Sequence, residues 1–517
     1  MNYHYIKKTM GKAVVRCIGM VALLAVSTII SNNVQAQQSN PKREFRGAWL
    51  HTVYQSQYSR QSTEENQKYL SAQLDSLKKA GINVVLWQVR PQADALYPSE
   101  LEPWSRHLTG KAGVAPSPLW DPLQYMIDEC HNRGMELHAW LNPYRVTCTA
   151  KETLPKRHIY HEHPEWFVRY DGKLYFNPGL EECREFICKV VKDIVQRYDV
   201  DAIHMDDYFY PYPVKGLSFN DNATYKKYGE GMNLGDWRRK NVDMLIEDVY
   251  HTIRELKPWV RFGVSPFGVW RNKKNDPQGS DTNAFENYSG LYADVLKWSE
   301  EGWVDYLLPQ LYWELEHKLA SSEKLAYWWN EHTNGRHMYY GQDVRKTMDK
   351  PAIDGSGEAS QLNHKIRLSR ELENVQGNCW WPGYDVVKNY KGVLDSLSTN
   401  AQSTVALVPS YPWIDSTPPD EVEDLKCVDL FDKKTLMWHS PHTDDPMQVQ
   451  KAFVVYCFRK GQKTDLDNAG AILGVTYDTQ YTLPDSLQGQ GKVKIVVTAL
   501  DRCNNESKKG VSINVKL

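Results

Sequence analysis

The sequence predicts an α/β chain, a (β/α)8 barrel of the TIM type followed by a small all-β sandwich. Three observations carry this. Between residues 44 and 400, short apolar runs alternate with amphipathic segments at βα spacing. Polar and aromatic residues gather just after the apolar runs, as expected where barrel strands end at one face. Beyond a Pro-rich break, Pro409 to Pro419, the pattern changes to alternating strands separated by turns.

The barrel elements follow in order. Arg46–Val53 reads as the first strand, with a helix over 67–79 that Gly81 ends. Asn83–Arg90 is the second strand, and a helix over 122–132 leads through Gly134 to Glu136–Asn142, the third. A helix over 183–198 precedes Asp201–Asp206, the fourth, and one over 241–257 precedes Arg261–Ser265, the fifth. A helix over 293–301 precedes Val304–Gln310, the sixth. His337–Gln342, after a Trp-rich helix over 322–331, is the seventh. Gly377–Trp381, after a helix over 361–372, is the eighth, and 394–399 closes the ring. An open doubly wound sheet is the alternative, but no Gly-x-Gly-x-x-Gly or phosphate loop follows any strand. Residues 401–419 read as a linker. In 420–517, runs such as Leu436–His439, Phe453–Phe458 and Lys492–Thr498 indicate about seven short strands.

Composition narrows the function. A formal net charge of −2 argues against a nucleic-acid surface. There are 18 Trp and 31 Tyr against 12 Phe, a bias toward aromatics with a polar handle. Lys7, Lys8, Lys12 and Arg16 precede an apolar run, Ile18 to Ile30, and Val34-Gln-Ala36 fits a cleavage site. Residues 1–36 therefore read as a signal peptide. The mature chain is expected to be exported to the periplasm or beyond, and soluble, with no transmembrane segment after cleavage. The eight later cysteines show neither Cys-x-x-Cys nor metal-ligand spacing; export permits disulfides, but most of them read as isolated buried thiols.

The chemistry is expected at the strand carboxyl ends. The second strand delivers Gln88 and Arg90, with Asp94 and Tyr97 beyond. The third delivers His138, Trp140, Asn142 and Tyr144. The fourth delivers His204, Asp206 and Asp207, followed by Tyr208. The sixth delivers Gln310, Tyr312, Trp313 and Glu314. If Ile203 and Met205 face the helices, His204 and Asp206 point into the barrel mouth. Paired acids among aromatics suit glycosidic chemistry, which needs an acid and a base or nucleophile. Asp206 is read as the nucleophile or base, Asp207 as its supporter and Glu314 as the general acid. Burial against Tyr312 and Trp313 is expected to raise the pKa of Glu314. Asp94 and Asp343 are weaker candidates for the acid. Arg90 either contacts a sugar or neutralises Asp94 or Asp206. His138 and His204 either bond each other, contact substrate or hold a metal with Asp206. The two-carboxylate reaction itself calls for no metal or cofactor.

At these residues the sequence resembles bacterial glycosyl-hydrolase-like family ten over about 44–399. The resemblance rests on Arg46-Gly-Ala-Trp49, Gln88-Val-Arg-Pro-Gln-Ala-Asp-Ala-Leu-Tyr97 and His138-Ala-Trp-Leu-Asn-Pro-Tyr-Arg145. It rests also on Asp206-Asp-Tyr-Phe-Tyr-Pro211, Ser265-Pro-Phe-Gly268 and Pro309-Gln-Leu-Tyr-Trp313. It implies an exported barrel that cleaves O-glycosidic bonds, with bacterial cell-wall glycan strands as a substrate class and cell-wall association. The closing region resembles a fibronectin type III module. Asp201-Ala-Ile-His-Met-Asp-Asp-Tyr208 also resembles the chitinase signature, but Tyr208 stands where that signature has its acidic glutamate. The competing readings are a non-catalytic glycan-binding scaffold and a metal-dependent deacetylase.

Overall fold

The computed structural model describes residues 40–517, so the export signal read from the sequence lies outside the described residues. Among these, eight parallel strands close a barrel. They are β1 (Phe45–Leu50), β2 (Val84–Arg90), β3 (Glu136–Leu141), β6 (Ala202–Met205), β7 (Arg261–Val264), β8 (Tyr306–Leu307), β9 (His337–Asp343) and β10 (Val375–Trp381). The hairpin β4 (Phe167–Tyr170) and β5 (Lys173–Phe176) is inserted after β3 and stands outside the ring. The expected sixth strand shrinks to two residues because Pro309 has no N–H to continue the ladder.

Period-two alternation sorts each strand. In β6, Ile203 and Met205 join the outer core under the helices, while Ala202 joins the barrel interior. In β1, Phe45 and Trp49 point inward while Ala48 and Leu50 point outward. The helices do the rest through apolar faces. Thr63–Lys79 starts with a Ser62–Glu65 capping box and buries Leu70, Leu74 and Leu77. Glu181–Arg197 buries Ile187, Val190, Val191 and Ile194.

Seven strands follow, in a three-stranded and a four-stranded antiparallel sheet that share the core of Leu436, Trp438, Phe453, Val455 and Ile495. The Pro-rich stretch that reads as a linker is itself packed. Tyr411 is buried with its hydroxyl 2.9 Å from that of Tyr339, and the Trp413 indole N–H donates to Asp305 at 2.9 Å. The β module packs on the amino-terminal ends of β3, β6 and β7. Lys451 pairs with Asp201, Asn504 donates to Glu136 at 2.9 Å, and His131 stacks on Tyr477 at 4.2 Å.

Candidate active site

The opposite end of the barrel holds a cavity of about 270 Å³. Asp206 and Asp207 leave β6 directly into it. Of the residues expected there, Gln88, Trp140, Tyr208, Gln310 and Tyr312 line it too. Trp49, His51, Val53, Tyr54, Arg145, Ser265 and Trp381 complete the wall.

Asp206 is held by an oriented chain of amides. The Gln88 carbonyl Oε1 accepts the backbone N–H groups of Thr52 at 3.0 Å and Val53 at 3.1 Å, which fixes which end of that amide faces inward. Its Nε2 then donates to Asn142 Oδ1 at 2.7 Å, and Asn142 Nδ2 donates to both oxygens of Asp206 at 2.8 Å. The chain can run only one way, so Asp206 is an acceptor at its end. Burial pushes the Asp206 carboxyl up to about 7, the charge of Asp207 adds to the rise, and Arg145 and Asn142 oppose it. Asp207 accepts from the Tyr212 hydroxyl, and burial pushes it up to about 6. Both adjacent carboxyls are thus raised above the usual aspartate range, by burial above all.

Beneath the acids the barrel is plugged by aromatics and histidines. The Tyr306 hydroxyl sits 2.9 Å from His138 Nδ1 and 3.0 Å from His204 Nδ1, and His204 Nε2 lies 3.0 Å from Ser265 Oγ. Both imidazoles are fully buried, and desolvation lowers their pKa values, that of His138 to about 4. They belong to this plug, not to the cavity wall. They meet through Tyr306, and no cluster of three His, Cys, Asp or Glu suited to a metal occurs among the described residues.

Several expected site residues lie elsewhere. Arg90 makes a buried bidentate pair with Glu102 at 2.6 and 2.7 Å and turns to neither Asp94 nor Asp206. Asp94 is buried behind the cavity, raised to about 7 by desolvation, and accepts the Gln92 N–H at 3.2 Å. Tyr97 packs edge-on to Tyr198 in the outer core, where Tyr144 is also buried. Trp313 lies edge-on to Phe267 and outside the cavity wall. Glu314 overturns the expectation most clearly. Its carboxyl is partly exposed 3.7 Å from Lys350 and does not line the cavity. Its own backbone N–H and Lys350 hold its pKa below the usual glutamate value, so the expected rise from burial against Tyr312 and Trp313 does not occur.

Trp49, His51 and Trp381 were not among the expected site residues, although they lie at the carboxyl ends of the first and eighth strands. Nor was Arg145, which ends one of the quoted motifs. Arg145 donates to the Pro91 carbonyl at 2.7 and 2.9 Å and to Asn142 Oδ1 at 3.0 Å, and its guanidinium lies 5.0 Å from the Tyr208 ring centre.

A closed parallel barrel with paired carboxyls and ring-faced walls at the strand carboxyl ends defines a glycosidase-type (β/α)8 protein. The chain belongs to the family described as glycosyl hydrolase-like 10, whose pattern matches residues 44–355. It is similar to the protein named glycosyl hydrolase YngK from Bacillus subtilis, with 39% identity over 516 residues, 97% of this chain and 98% of that one. It is also similar to glycosyl hydrolase DigH of Escherichia coli K12, with 41% identity over 368 residues, 66% of this chain and 82% of the other. Among solved structures, the glycoside hydrolase domain of PgaB (BpsB) from Bordetella bronchiseptica matches with a TM-score of 0.45 and 13% identity, over 69% of this chain and 99% of that one.

Proposed function

We propose that the protein is an exported glycoside hydrolase that cleaves O-glycosidic bonds of a glycan, with bacterial cell-wall glycan strands as the substrate class. The observation that carries this is the Asp206–Asp207 pair, buried, raised and open to an aromatic-walled cavity. Asp206, expected from the sequence to be the nucleophile or base, is reassigned as the proton donor to the leaving oxygen, because Glu314 lies outside the cavity and both burial and the Asp207 charge favour a protonated Asp206. Asp207, ionised and held by Tyr212, stabilises the positive charge that develops on the sugar; water then adds to the sugar carbon and gives its proton back to the Asp206 carboxylate, which restores the acid. Glu314 is not part of this assignment, because its carboxyl lies outside the cavity. The closing β module is read as a fibronectin type III-like accessory unit, and the chain as cell-wall associated.

The test is digestion of purified peptidoglycan, with and without its stem peptides, beside a panel of other polysaccharides. Release of new reducing ends by the native chain, and its loss by at least about a hundredfold in Asp206→Asn, supports the assignment. Equal release by both proteins sinks it. Binding without release by the native chain leaves the glycan-binding scaffold. The deacetylase reading loses ground to geometry, since His138 and His204 are engaged with Tyr306 beneath the cavity.

A further inference from the structure

Beside the acid cavity lies a second one of about 220 Å³, and the two share Tyr54, Arg145 and Tyr208 as a common seam. Its far wall is the hairpin β4–β5, which contributes Tyr170, Lys173 and Tyr175. The hairpin takes no part in the barrel, yet it is fastened to this place. Tyr175 bridges to Arg145, and the backbone N–H of Val214 donates to the Tyr170 hydroxyl at 2.7 Å.

Two residues of the seam keep aromatic surface open to the cleft, while Tyr54 also lies edge-on to His107 and Tyr208 edge-on to Tyr212. Tyr54 is 66% exposed, so its ring adds little to the core, and its backbone sits at φ 62°, a left-handed conformation costly for a bulky side chain. Tyr208 is 38% exposed, yet the Arg145 guanidinium beside its ring is itself anchored to Pro91. Strain and exposed aromatic surface kept together at a cleft point to a ligand. Rings with open faces suit the C–H face of a pyranose. Lys173 and Asp171, paired at 3.3 Å at the partly exposed edge, can exchange water for hydroxyl groups.

We infer that this second cavity is a subsite for the neighbouring sugar of the same glycan chain, so the protein acts on oligosaccharides that span the Tyr54–Tyr208 seam and not on single glycosides. The inference rests on the glycosidase reading above and adds a chain-length requirement to it. Binding energy from the non-reacting sugar then appears as turnover, so short substrates lose rate and not only affinity.

The experiment measures kcat/KM of the full chain on peptide-free peptidoglycan fragments of two, four and six sugars, and on an aryl glycoside of N-acetylglucosamine. The native chain is expected to prefer the longer fragments by tenfold or more. Tyr54→Gly removes the ring while suiting the left-handed backbone, so it should fold at least as well, as its melting temperature will show. It is expected to erase most of the length preference, and Tyr54→Phe to keep it. An unchanged long-to-short ratio in Tyr54→Gly overturns the subsite while leaving the glycosidase reading intact. Failure of the native chain to cleave any fragment or polysaccharide removes that reading, and the subsite with it.

Discussion

Asn142 grips Asp206 with one amide nitrogen, 2.8 Å from each carboxyl oxygen. Both bonds favour the ionised acid and oppose the burial that raises it. Removing them in Asn142→Ala should raise the Asp206 pKa further. If Asp206 must be protonated to act, the alkaline limb of the kcat/KM profile moves to higher pH while the maximum falls by about tenfold to a hundredfold. Gln88→Leu, which frees Asn142 to turn, should shift the same limb in the same direction but less. A loss of rate with no movement of the limb would show that Asn142 serves packing only.

The pair itself sets a pH signature. With carboxyls raised to about 7 and about 6, activity should form a bell with its top between those values. The same shift has a cost in stability. A folded-state pKa above the unfolded one means that the native protein holds the proton more tightly. The stability from that proton is fully present below about pH 4, the unfolded aspartate range, and is lost as pH rises through 7. Asp206→Asn should therefore melt higher than the native chain at pH 8, by an amount of order 1–3 kcal/mol, and match it near pH 4. Thermal scans at the two pH values check this. A lower melting temperature at pH 8 would contradict the burial argument.

Glu314 gives a sharp negative prediction. Its carboxyl faces Lys350 near solvent and its pKa is lowered, the reverse of what a proton donor needs. Glu314→Gln should retain activity within about threefold, with the pH profile unmoved. A loss of a hundredfold or more would restore it to the reaction and require the loop after β8 to move.

Barrel strands, facing and the acid strand were legible because they follow from period two. The inward-facing His204 and Asp206 were read from Ile203 and Met205 alone. Glu314 was misplaced because β8 ends at Leu307, and residues 308–314 beyond it belong to no strand, so periodicity no longer tells direction there. Arg90 was ambiguous because its partner, Glu102, comes from an irregular stretch with no pattern to read. The shared tyrosine between His138 and His204 was invisible for another reason. It depends on a vacancy on β7: a Cβ at Gly263 would lie 2.0 Å from Cζ of Tyr306. Gly263→Ala is therefore expected to displace that ring, to cost about 2 kcal/mol or more, and to lower the melting temperature by several degrees. Gly235→Ala, near the start of the helix Leu234–Leu256 and with no neighbour nearer than 3.4 Å to the added Cβ, should leave the histidine resonances of the plug in place where Gly263→Ala shifts them.

The β module offers the last test, because a charged network ties it beneath the barrel. Lys451, 6% exposed, reaches from the module to Asp201, whose side chain is fully buried and also accepts His131 at 2.9 Å and the Leu137 N–H at 2.7 Å. Next to it, Glu136 pairs with Arg261 and accepts from Asn504. A buried pair adds little net stability over an apolar replacement, but removing one member strands the other. Lys451→Met should cost about 3 kcal/mol, and adding Asp201→Asn should recover much of it, since the neutral amide needs no counter-charge. If module and barrel are one cooperative unit, both variants shift a single unfolding transition followed by Trp fluorescence. Two separate transitions, with only the later-melting one unmoved by Lys451→Met, would mean that the module docks on a barrel already stable without it.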